Sequence, residues 1–159
     1  MFVIGIDPHR GSHTAAVLDG TEELLDEYRV EADRCQRQRL LEWAAPFMPR
    51  VWAVEGATGT GALLAQQLVA AGEAVVDVPP KLSARVRLLD SGRSDKTDSH
   101  DARAAAVVAL RHRSCGRSAS RTTSRCCGCW PSATTATTVP TLVTINQRRT
   151  YTGCSRPCA

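Results

Sequence analysis

The chain has 159 residues, 43% of them apolar, and a formal net charge of +4, which suits one soluble domain with a sizeable core. No run of ~18 apolar residues occurs, and the N-terminal MFVIGID has neither the basic start nor the apolar length of a signal peptide; a membrane-spanning helix is excluded and a cytoplasmic protein is expected. The mild positive charge fits a nucleic-acid partner and an ordinary basic domain equally well.

In chain order, Phe2 to Ile6 is a short apolar, β-rich run that ends at Asp7. The turn-like PHRGS then leads into a second strand, His13 to Leu18, which suggests a hairpin. Leu24 to Val30 reads as a third strand, although EELLDEY also suits a helix, and Ala32 to Ala45 follows as a helix that Pro46 stops. Val51 to Val54 is apolar enough for a buried strand and ends at Glu55. GATGTG leads on into a helix with Leu64, Leu68 and Ala71 on one face, stopped at Gly72. Ala74 to Val78 is the next strand, and Pro79-Pro80 starts a helix whose Leu82, Val86 and Leu89 share a face. The loop DSGRSDK precedes a last helix, roughly Asp98 to His112. A meander followed by strand, helix, strand, helix predicts an α/β fold: an RNase H-like mixed sheet with flanking helices.

Two carboxylates, Asp7 and Glu55, stand where their strands end, and ligand sites of α/β sheets lie beyond those ends. Asp98 and Asp101 are three apart and so share a helix face. If the first and fourth strands are neighbours and the last helix crosses their ends, four acids converge, which is repulsive unless cations are bound. Mg²⁺ or Mn²⁺ takes oxygen ligands, and two such ions ~4 Å apart can hold the attacking and leaving oxygens of a phosphodiester displacement. Each acid also has an ordinary reading, since an Asp at a strand end caps turns and acids in a first helical turn complement the dipole.

GATGTG has the glycines of a phosphate cradle but lacks the Lys-Ser/Thr of a P-loop. A tight turn capped by Thr58 or Thr60 is the preferred reading. Lys81, Arg85, Arg87, Arg93 and Lys96 precede the last acids and are candidates for nucleic-acid phosphate contact, or else a solvated face. His9 and His13 flank the first acid and are given no role.

After Arg113 there is no Asp or Glu, and Ser, Thr, Arg and Cys dominate. Residues 1–113 are therefore read as the domain and 114–159 as a low-complexity, poorly ordered tail, with VPTLVTI its one strand-like run. CCGC and the later cysteines lack paired CxxC arms, which argues against zinc. Translation of the tail out of the original frame would explain the change of composition.

GIDPHRGSHTAAVLD, AVEGATGTG and SGRSDKTDSHDARAAA resemble the three blocks of the DEDD transposases of the insertion-sequence 110 family, spread over residues 2–106. The acids carried over are Asp7, Glu55, Asp98 and Asp101. The resemblance implies a RuvC-like, RNase H-fold domain using Mg²⁺, in a recombinase that moves its own element through a Holliday-junction-like intermediate. It also implies DNA and a structured guide RNA as partners and a homo-oligomer in intact members. Members of that family continue into a coiled coil and a second domain with a serine nucleophile, and nothing in 114–159 matches either, so a truncated or frameshifted copy, inactive alone, is expected. The alternatives are half of an actin-like ATPase or sugar kinase, in which Pro8-His9 stands where the phosphate loop wants Gly and Thr or Ser, and an inert remnant.

Overall fold

The computed structural model describes residues 1–91, 98–117 and 142–144, with side chains over 1–89 and 98–112. Strands β1 (Phe2–Pro8), β2 (Ser12–Leu18) and β3 (Leu24–Glu31) form an antiparallel meander. Helix α1 (Gln36–Trp43), strand β4 (Arg50–Glu55), helix α2 (Ala62–Ala70), strand β5 (Val75–Val78), and helices α3 (Pro80–Ser91) and α4 (Asp98–Arg117) follow. A sixth strand, β6 (Leu142–Thr144), completes a sheet of order β3-β2-β1-β4-β5-β6. β4 pairs parallel with β1, and β5 and β6 continue the parallel half.

Alternation along the strands sorts side chains onto two faces. Ile4, Ile6, Ala15, Val17, Trp52, Val54 and Val75 face α1 and α2, where Leu40, Leu64, Ala65 and Leu68 meet them. Val3, Leu18, Val51, Ala53, Val76 and Val78 face the other way, against Ala105 to Leu110 of α4 and Leu82 and Val86 of α3. The central strands β1, β4 and β5 are buried along nearly their whole length, which is why they read as continuous apolar runs and not as alternating ones. EELLDEY resolves as a strand because β2 offers it a ladder and Tyr28 stacks on Trp43 of α1, ring centroids 5.4 Å apart.

Some expectations change. Leu89 is 81% exposed and does not join Leu82 and Val86, which pack against the α4 side of the sheet. Ala71 is the exposed C-cap of α2, not part of its buried face. Helix α4 runs through Arg113 to Arg117, beyond the point where acids cease. Leu142–Thr144, in the segment expected to lack order, pairs with β5. The DSGRSDK loop beyond Ser91, the zinc reading of CCGC and the remainder of the tail lie outside the described residues.

Candidate metal centre

Asp7 lies near the end of β1, paired across the ladder with Thr14 and buried at 6% exposure. Its odd position places it with Val3 on the α4 face. Pro8 ends the strand, and the His9 amide donates to the Ser12 carbonyl at 3.0 Å, closing the turn into β2. His9, two residues beyond Asp7, is therefore aimed to the same side. Its Nε2 lies 3.0 Å from Asp7 Oδ2 and 3.2 Å from Asp98 Oδ1. Asp7, His9 and Asp98 each place one ligand atom within 4.8 Å of the other two.

Asp98 is the first residue of α4 and Asp101 sits in the same turn. Both acids favour the positive end of the helix dipole. What brings that end to Asp7 is the contact of α4 with β1 at Gly5. A Cβ on Gly5 would fall 1.9 Å from the Ala102 carbonyl oxygen and 2.7 Å from the Ala106 amide nitrogen, so only glycine allows backbone on backbone there.

Glu55 ends β4 on the same sheet face as Val51 and Ala53, half-buried beside the end of β1. The chain then turns at Gly56, whose φ of 59° is left-handed. The GATGTG turn is held from below, the Ala57 amide donating to buried Asp77 Oδ1 at 2.8 Å. Gly61 is the N-cap of α2 and no side chain caps it, so neither Thr58 nor Thr60 has the capping role.

Around the acids, Asp101 forms an ion pair with Arg87 of α3, and Arg29 of β3 reaches Asp98 at 3.5 Å while donating to Ser12 Oγ. A cleft of about 420 Å³ opens beside Asp98, lined by Thr14, Glu27, Tyr28, Arg29, Asp98 and Ser99. Thr14, one of these lining residues, is buried, and its Oγ1 has no hydrogen-bond partner in the structure. Of the basic candidates, Lys81 and Arg85 are exposed on α3, Arg87 is engaged with Asp101, and Arg93 and Lys96 lie outside the described residues.

His13 turns to the opposite face, where its Nε2 is 2.9 Å from Gln36 Oε1, and Gln36 Nε2 donates to Gln67 Oε1 at 2.8 Å. Burial of the imidazole pushes its pKa below the ordinary histidine value, against the raising effect of the Gln36 hydrogen bond. It belongs to the packing between β2 and the helices α1 and α2. His9 and Arg29 are the members of the site that sequence reasoning passed over. For His9 the available signal was its two-residue spacing from Asp7 along an extended chain.

Carboxylates from β1 and α4 with an imidazole between them form a donor set suited to a divalent cation. Among the described residues no helix is long and apolar enough to cross a membrane.

Residues 4–125 match the profile of the DEDD transposases of insertion-sequence 110 type, described as transposase. The insertion element IS116 uncharacterized 44.8 kDa protein of Streptomyces clavuligerus is 36% identical over 110 residues, which cover 69% of this chain and 27% of that protein. The chain thus spans about a quarter of its curated relative. Thermus thermophilus RuvC superposes with a TM-score of 0.53 at 20% identity, over 72% of this chain and 96% of that one. T. thermophilus RuvC in complex with Holliday junction substrate gives 0.52 over the same shares. The fold is the RuvC-like, RNase H-like α/β fold, and the transposase match decides against the ATPase or sugar-kinase reading. The chain belongs to the DEDD transposases of the insertion-sequence 110 family.

Proposed function

We propose that these residues supply the divalent-metal site at which a DNA transposase breaks and joins phosphodiester bonds. The observation that carries the reading is the convergence of Asp7 and Asp98 on one point at the end of β1, with His9 at 3.0 and 3.2 Å from them. Asp7 and Asp98 would hold the ion. Glu55, at the same end of the sheet, and Asp101, on the same helical turn as Asp98, would complete the carboxylate set around a bound ion. Mg²⁺ or Mn²⁺, when bound, neutralises the developing charge on the phosphoryl oxygens and orients the attacking one. Arg87 holds Asp101 in place.

DNA is the proposed substrate, with a structured guide RNA as second partner, and the complex of a neighbour of this fold with a Holliday junction supports a branched DNA. Lys81 and Arg85, exposed on α3, are assigned to phosphate contact. The proposal covers the metal-dependent step that these residues can serve, and not recombination as a whole, because the match spans 27% of the relative.

Calorimetric titration of Mg²⁺ and Mn²⁺ into the full chain and into Asp7→Asn tests the reading. The substitution is expected to weaken binding at least about tenfold by removing a charged ligand. Binding that ignores it overturns the assignment.

A further inference from the structure

His9 does not belong to the acidic set that the family match brings with it, yet its Nε2 is hydrogen-bonded to Asp98 at 3.2 Å and lies 3.0 Å from Asp7. One ligand atom each of Asp7, His9 and Asp98 lies within 4.8 Å of the other two, close enough for the three to share one ion. The His9 backbone is held at this end of the strand by the hydrogen bond from its amide to the Ser12 carbonyl and by the strand pairing of Pro8 with His13. An independent feature marks the place as built for a ligand. Thr14, more than nine-tenths buried, pairs with Asp7 in the ladder and lines the cleft beside Asp98 with its hydroxyl lacking a hydrogen-bond partner in the structure.

Donor chemistry then bears on which ion is chosen. Mg²⁺ prefers oxygen and sheds water reluctantly, whereas imidazole binds first-row transition dications, with affinity rising from Mn²⁺ to Co²⁺. We propose that His9 Nε2 is a direct metal ligand and that this nitrogen makes the centre select Mn²⁺ or Co²⁺ over Mg²⁺. The inference rests on the metal reading above and adds to it the identity of a third ligand and the class of ion.

The test uses the full chain and the metals alone. Affinities for Mg²⁺, Mn²⁺ and Co²⁺ are measured by calorimetry for wild type, His9→Ala, His9→Gln and Asp7→Asn, with thermal unfolding recorded for each. Pulsed electron paramagnetic resonance on the Mn²⁺ complexes reads nitrogen coupling directly. Both His9 variants are expected to lose at least about tenfold in Co²⁺ affinity. Their Mg²⁺ affinity should stay within about threefold of wild type, and the nitrogen coupling seen in wild type should vanish. The side chain is 42% exposed at a turn, so the unfolding temperature should hardly move. Wild-type Mn²⁺ without nitrogen coupling, or equal losses for Mg²⁺ and Co²⁺, overturns the role of His9 while an effect of Asp7→Asn leaves the metal centre standing. Metal binding indifferent to Asp7→Asn overturns the underlying reading and this inference together.

Discussion

His9 and His13 are four residues apart, and the turn between them sends them to opposite faces of one sheet. His9 meets carboxylates, and His13 meets the Gln36 amide in a buried setting. The folded state disfavours the His13 proton, chiefly through burial. Its pKa is therefore depressed relative to the unfolded chain, the unfolded state binds more protons in the window just below the ordinary value of 6.5, and stability rises with pH there. The His13 contribution is fully present above that value and is lost as pH falls below it. Urea titrations across pH 5 to 8 should show His13→Gln flattening this rise relative to wild type. Identical pH profiles would refute the account. Both histidines were visible in the sequence, but their different surroundings were not, because strand parity after a turn depends on where β1 stops and β2 begins.

The elements themselves were largely legible. The apolar runs at Phe2 to Ile6, Val51 to Val54 and Ala74 to Val78 became the buried strands β1, β4 and β5 with shifts of a few residues at their ends, since length and β-branched content distinguish a buried strand from a helix. The exposed third strand was ambiguous, for local pattern says little where the ladder decides. Leu89 was misplaced for a related reason: helical spacing puts it with Leu82 and Val86, but contact depends on how far α4 runs alongside. The least visible element contact is the one at Gly5, where α4 touches the backbone of β1. Gly5→Ala should destabilise the fold by at least about 3 kcal/mol, at the upper end for overpacking, because a backbone carbonyl and not a pliable side chain blocks the new methyl. It should also weaken metal binding by moving Asp98 away from Asp7. An unchanged denaturant midpoint would show that α4 does not pack as described. Elsewhere the sheet is closed by polar clamps, such as Glu73, which accepts from Arg50 Nε at 3.0 Å and from Trp52 Nε1 at 2.8 Å.

At the scale of the whole molecule, the acids gather at one end of the sheet while Lys81 and Arg85 are exposed on α3, the helix whose Arg87 pairs with Asp101, an arrangement suited to a polyanion whose reacting phosphate needs a cation. If Lys81 and Arg85 contact phosphates, replacing either with Ala should weaken binding of a branched DNA at all sequences alike. Each should also lower the slope of log affinity against log salt by about one. Fluorescence anisotropy across a salt series measures this, and an unchanged slope in both variants would remove α3 from the interface. The family was readable directly, because the blocks around Asp7, Glu55, Asp98 and Asp101 are contiguous and their order and spacing survive in one dimension. Strand ends and a helix start, where ligands collect, are also local properties of sequence. What the tertiary structure alone decided is which of those groups meet. The parallel pairing of β4 with β1 sets Glu55 beside Asp7, the glycine contact brings Asp98 within reach, and the turn after Pro8 adds His9. Arg87 and Arg29 approach the acids from α3 and β3. These proximities join residues up to some ninety positions apart, as His9 and Asp98 do; packing between faces sets them, and no periodicity along the chain encodes them.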